Sequence, residues 1–259
     1  AIGNVIGSST LNLAVVLAIT AVVRPIPVRF EAIRFELTVA LLAAAVPFLA
    51  LFTGGSLGPL TGGALLAALL AITVRAYVVG RCHPGADESE MERELAELVS
   101  PDEGSRWASR IWLDLLLTLA GLIVLPIGSW MLVEGAIDIA TRFGIPDLIV
   151  GLTIVALGTS LPELATALVA ALRGKSDLAL GNVLGSNIFN MFGILGVATL
   201  LGRQEIEPQT LRVDTPVLLG TSIAVAVMCM AGRRINRLEG VLLLVGYAVY
   251  LGYLFSVAT

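Results

Sequence analysis

Glu163 is a carboxylate placed in an apolar setting. It closes the segment Gly151-Leu152-Thr153-Ile154-Val155-Ala156-Leu157-Gly158-Thr159-Ser160-Leu161-Pro162-Glu163, inside a run long enough to cross a membrane. A charge at that depth is destabilising by a few to roughly 10–17 kcal/mol on differing scales, and it is kept mainly where something polar or ionic visits. Thr159 and Ser160 stand four and three residues before it, on the same side of a helix. Pro162 cannot donate a backbone hydrogen bond, and its ring crowds the carbonyl four residues back, at Gly158. The helix is therefore predicted to break near 158–162, with free carbonyl oxygens beside the hydroxyls and the carboxylate. Unsatisfied backbone survives at membrane depth only inside protein or against a water-filled cavity. The chemistry on offer is oxygen coordination of a cation.

A second oxygen set lies downstream. Ser186 and Asn190 are four residues apart, as are Ser8 and Asn12, so each pair points one way from its helix. Carboxylate, hydroxyl, amide and carbonyl oxygens suit calcium or sodium, and the lack of sulfur and imidazole argues against softer metals. Singly, each Ser, Thr or Asn reads as a bond between helices. The set around a mid-membrane glutamate reads as an ion site.

The elements that must position these residues are membrane spans. A chain of 259 residues that is 57% hydrophobic and 14% charged, with mean hydropathy +0.92, is too apolar for a soluble globule. Apolar runs of spanning length fall near 1–22, 35–53, 60–80, 111–133, 147–172, 178–201, 213–231 and 239–257. With the first span entering the cytoplasm, the inner loops hold twelve basic residues, among them Arg24, Arg29, Arg173, Arg234 and Arg237. The outer loops hold Arg142, Arg203 and Arg212, so the bias is positive-inside and the C-terminus falls outside. Residues 81–110 form an acidic cytoplasmic linker that lacks the ligand alternation and glycine of a calcium loop. Cys82-His83 is too few ligands for zinc, and Cys229 reads as a packing residue. Asp177, just before the 178–201 span, reads as its helix cap.

An internal repeat organises the spans. Residues 1–12, AIGNVIGSSTLN, match residues 179–190, ALGNVLGSNIFN, at seven positions with an offset of 178. The register continues without gaps, pairing Arg34 with Arg212, Glu36 with Asp214, Leu60 with Leu238 and Gly62 with Gly240. Five spans separate the copies, and an odd number reverses orientation. Inverted repeats place secondary-transport sites near the bilayer midplane.

GLTIVALGTSLPELATALVAA followed by SDLALGNVLGSNIFN resembles the second alpha repeat of the sodium/calcium exchanger branch of the calcium/cation antiporters. AIGNVIGSSTLN resembles the latter half of the first. The resemblance implies an all-α membrane protein with an inverted-repeat antiporter fold, of whose ten helices eight are present. Residues 1–80 would be the remainder of the first repeat (helices three to five) and 111–259 the second (helices six to ten). It implies Glu163 as the central calcium and sodium ligand, with oxygens from Thr159 and Ser160 and a backbone carbonyl from Ala156. Ser186 and Asn190 would complete that half, with Ser8 and Asn12 as counterparts from the first. The transported ions are Ca2+ and Na+; the other partner is the lipid bilayer, with no nucleic acid, no enzyme chemistry and no cofactor. A bacterial plasma membrane is expected, and the sequence carries no signal of oligomeric state.

Departures from the pattern refine this. Asn190 stands where some potassium-dependent relatives carry Asp, which argues against potassium coupling. Ser9 stands where the second copy has Asn187. GNVLGS in place of GNAAE favours sodium over protons; a proton/calcium antiporter is the alternative. A membrane hydrolase built on Ser160 lacks a base at depth, because the only histidine is His83. A cation channel calls for a ring of subunits, and a structural protein has no use for Glu163. The helix near 111–140, with Gly121, Pro126, Gly128 and Gly135, reads either as one able to bend or slip or as ordinary small-residue packing. No segment before residue 1 supplies a first GTSLPE-like helix, so about seventy residues and a second glutamate are expected to be missing. With one carboxylate where the family would use two, the polypeptide is expected to carry calcium weakly. Calcium uptake into sodium-loaded vesicles measures this, and brisk uptake would contradict it.

Overall fold

Long apolar runs can satisfy their backbone groups in lipid only as helices. The computed structural model describes residues 2–82, 104–142, 158, 160–232 and 234–258, and it is helical almost throughout. Helix α1 (Ile2–Leu11) passes through a π-turn (Asn12–Val16) into α2 (Leu17–Val23). Strand β1 (Ile26–Pro27), α3 (Phe30–Ala45), a 3-10 turn (Val46–Leu51), β2 (Ser56–Leu57) and α4 (Pro59–Cys82) follow. Next come α5 (Gly104–Arg142), α6 (Leu161–Leu172) and α7 (Ser176–Ile188). A second π-turn (Phe189–Ile194) leads into α8 (Leu195–Leu201) and β3 (Gln204–Glu205). The chain ends with a third π-turn (Thr210–Asp214), α9 (Thr215–Gly232), β4 (Arg234–Ile235) and α10 (Arg237–Ala258).

Among the described residues, seven helical stretches are long and apolar enough to span a bilayer, and Leu161–Leu172 is a shorter apolar helix. The span expected at 147–172 is described only at 158 and from 160 onward, and most of the acidic linker lies outside the described residues. The chain divides into two compact units, Ala1–Leu69 with Ser129–Thr259, and Leu70–Gly128. The described residues of the smaller unit are helical and their side chains are mostly exposed and apolar, Trp112, Leu116, Leu122 and Ile123 among them. Helix α5 runs unbroken through Pro126.

The larger unit shows why the 178-residue register is gapless. Strand β1 pairs antiparallel with β4, joining Ile26 to Ile235 and Pro27 to Arg234. Strand β2 pairs antiparallel with β3, joining Ser56 to Glu205 and Leu57 to Gln204. An offset of 178 turns the first bridge into the second, residue for residue. Helix α3 leaves the β1 end and arrives at β2. Its counterpart α9 leaves the β3 end, which is bridged to β2, and arrives at β4, which is bridged to β1. The two copies therefore run in opposite directions.

Two glycines carry matching close approaches. A Cβ on Gly62 would meet the backbone nitrogen of Leu200 and stand 2.7 Å from the carbonyl oxygen of Gly196. A Cβ on Gly240 would stand 2.7 Å from the carbonyl oxygen of Ala18. Small residues of this kind let helix backbones touch in a membrane.

Of the basic residues assigned to the inner loops, Arg24, Arg29, Arg234 and Arg237 lie in or beside the β1–β4 bridge. There Arg24 donates to the Leu172 carbonyl and Arg237 donates to the Val23 carbonyl, satisfying orphan groups at two helix C-termini. Arg29 pairs with Asp177. This corrects the cap assigned to Asp177, since α7 starts one residue earlier, after Lys175, with no side-chain cap. A reciprocal capping box opens α10, in which Asn236 N–H donates to Glu239 at 2.7 Å and Glu239 N–H donates to Asn236 at 3.0 Å.

Gly62→Ala and Gly240→Ala should each destabilise the fold by about 1–3 kcal/mol through overpacking. Thermal unfolding in detergent, read by loss of monodisperse protein, should show both variants melting several degrees early. Gly63→Ala, where a Cβ meets open space, should melt with the parent.

Candidate cation site

Ser160 has non-helical backbone angles, φ −102° and ψ 6°, and α6 begins at the next residue with Pro162 in its first turn. Pro162 thus lies in the opening turn of α6, where its missing donor falls among N–H groups that have no intrahelical partner. Glu163 lies in the same turn, where the helix dipole favours a negative side chain. The Ser160 carbonyl accepts from Leu164 N–H at 3.0 Å, and Ser160 is buried. Thr159 and Ala156 lie outside the described residues.

Helix α7 packs along α6 and supplies most of the facing wall. Glu163, Gly181, Asn182, Gly185, Ser186, Phe189 and Asn190 line a cavity of about 310 Å3. The α7 members form one stripe at helical spacing, and its two glycines leave room for the cavity. Asn182 Nδ2 donates to the Glu163 carbonyl at 3.3 Å, fixing the start of α6 against α7. Oε2 of Glu163 is buried with no hydrogen-bond partner among the described residues.

The first repeat reaches the same region through amides. Asn12, only 1% exposed, donates from Nδ2 to Oδ1 of Asn187 at 3.3 Å. Asn187 Nδ2 donates to the Ser9 carbonyl at 3.1 Å, and Asn190 Nδ2 lies 3.5 Å from Ser9 Oγ. Oδ1 of Asn12 is the second buried oxygen here with no described partner. Each such group is destabilising by about 1–3 kcal/mol, more when charged. Both asparagines sit in π-turns, with Leu17 N–H donating to the Asn12 carbonyl and Leu195 N–H to the Asn190 carbonyl. Single π-turns within helices are frequent at functional sites.

Of the residues singled out from sequence, Glu163, Ser186 and Asn190 share the cavity, and Asn12 joins them through Asn187 and Ser9. Ser160 and Ser8 are not among the residues lining it. Sequence reasoning passed over Asn182 as a site residue and read position 187 only as a repeat partner. The signal for Asn182 was available: it stands four residues before Ser186, on the stripe that Ser186 and Asn190 already defined.

The chain matches the family model described as sodium/calcium exchanger protein over residues 1–78 and 113–256. CaxA of Alkalimonas amylolytica, which carries an antiporter name, is 38% identical across 99% of this chain and 78% of its own length. Inner membrane protein YrbG of Escherichia coli is 35% identical across 98% of this chain and 77% of its own. Among solved structures, the sodium-calcium exchanger NCX_Mj superimposes with a TM-score of 0.73 at 31% identity, covering 97% of this chain and 76% of that one. Ser186→Ala removes one oxygen from the cavity wall without touching the backbone. Calcium titration of the protein in nanodiscs should show affinity lowered about threefold to tenfold.

Proposed function

Because the chain belongs to the sodium/calcium exchanger protein family, we propose that its membrane core binds calcium and sodium at overlapping oxygens around Glu163, and that alternating access trades one for the other across the bilayer. The observation that carries this reading is the buried, unpartnered Oε2 of Glu163 at a cavity that also presents Ser186 and Asn190. A carboxylate left in that state is stabilised when a cation arrives and destabilised when it leaves.

In this reading Thr159, Ser160 and the Ala156 carbonyl complete the half-site at the α6 start, and Ser8 and Asn12 extend it from the first repeat. Residues 1–80 and 111–259 act as the two halves, joined by the 81–110 linker. No bond is made or broken. Coupling arises because ions competing for the same oxygens cannot be held together, so each carries the core across only in its own turn. A neutral Asn190 leaves Glu163 as the one charged side chain among the described residues lining the cavity, which suits sodium as the partner ion without potassium.

Calcium binding to the protein in nanodiscs should be displaced competitively by sodium. Glu163→Gln keeps the shape and removes the charge, and should weaken calcium at least about a hundredfold. Equal calcium affinity in parent and variant, or calcium that sodium cannot displace, would defeat the reading.

A further inference from the structure

Asn187 occupies the point where the two repeat copies meet. Its counterpart at the 178-residue offset is Ser9, and Asn187 bonds to Ser9 itself. The direction of that bond has a consequence along the chain of amides. A backbone carbonyl only accepts, so the Asn187 atom facing the Ser9 carbonyl, at 3.1 Å, must be Nδ2. Oδ1 of Asn187 is then the atom turned to Asn12, and an oxygen there requires Asn12 to present its own Nδ2, which lies 3.3 Å away. The oxygen of Asn12 is left over. It is buried and has no partner among the described residues.

We propose that Asn187 is a positioning residue: one fixed carbonyl, read through its amide, orients Asn12 so that its oxygen and not its NH2 is held free as a ligand for the transported cation. This rests on the cation-site reading given above and names a residue that reading does not use. Were Asn12 to turn over, its NH2 would face the position of the ion, and two oxygens would confront each other at Asn187. Among the described residues the second half-site shows no such lock. Asn190 meets a hydroxyl, Ser9 Oγ, at 3.5 Å, and a hydroxyl can donate as well as accept. The two asparagines are thus related by the repeat and differ in freedom.

A double-mutant cycle in the full chain separates positioning from packing. Asn187→Leu and Asn12→Leu keep approximate side-chain size and remove the hydrogen bonds. Calcium binding in nanodiscs should fall about tenfold for each single variant, and the double variant should match Asn12→Leu alone. Losses that multiply, or an Asn187→Leu protein with parental affinity, would overturn the proposal. Should Asn187→Leu fail to fold, Asn187→Ser takes its place, its hydroxyl able to serve one of the two bonds. Side-chain amide exchange of 15N-labelled asparagine provides a readout without calcium: the Asn12 NH2 should exchange slowly in the parent and quickly in the Asn187 variant, and equal rates would also overturn it. Glu163→Gln run alongside distinguishes the two failures. Calcium affinity untouched in Glu163→Gln removes the cation site itself, whereas a large loss there with none in Asn187→Leu removes only the role of Asn187.

Discussion

Burying an oxygen that has no proton to accept is destabilising, and among the described residues two of the three side chains where it happens, Glu163 and Asn12, lie in adjoining elements of the membrane core. Oε2 of Glu163 and Oδ1 of Asn12 both lie out of solvent with no described partner, on opposite halves of the repeat. In water neither would matter. At membrane depth each would be relieved by a donor or a cation, and three neighbouring amides each direct a hydrogen elsewhere. Asn182 spends its NH2 on the Glu163 carbonyl, Asn187 spends its own on Ser9, and Asn12 gives its to Asn187. Each of these bonds directs one amide hydrogen to an oxygen other than Glu163 Oε2 and Asn12 Oδ1. In the proposed cation site, an arriving ion would meet groups already unsatisfied and would lose little affinity to rearrangement.

Helix ends and π-turns provide the backbone part of the same arrangement. Helix α6 begins beside Glu163, so its first turn faces the site with unpaired N–H groups and a proline that has none to offer. The π-turns at Asn12–Val16 and Phe189–Ile194 widen α1–α2 and α7–α8 at matching places in the repeat. Neither feature requires a loop in the lipid. Ser160, the first of these π-turns and residues 189–193 of the second are buried or line the cavity, where irregular backbone is tolerated at membrane depth.

Much of this was readable in advance, for definite reasons. The spans follow from the length of apolar runs. The repeat follows from the identity of AIGNVIGSSTLN with ALGNVLGSNIFN and from Gly62 with Gly240, whose close backbone approaches explain why glycine stands at both. Pro162 marked the start of α6 because its ring and missing donor act through local sterics. The rest depends on long-range partners. Asp177 looked like a cap because its position in the chain allows one, yet Arg29, far off in sequence, takes it. Asn187 was read only as the repeat counterpart of Ser9, because the direction of its hydrogen bonds is set by a carbonyl in the other half. A π-turn differs from an α-turn by one residue of register and leaves no compositional mark.

The paired bridges carry a further implication for how the protein is made. Ile26 and Pro27 sit between the first two spans, yet their strand partners are Ile235 and Arg234, near the far end of the chain. During synthesis the opening hairpin must therefore wait, its edge unclasped, until nearly every other span has entered the bilayer. Each half closes only by borrowing from its twin, the β2–β3 bridge once Glu205 is made and the β1–β4 bridge only with Ile235, so a ribosome stalled between them would leave an inserted bundle latched at one bridge and open at the other for quality control to recognise.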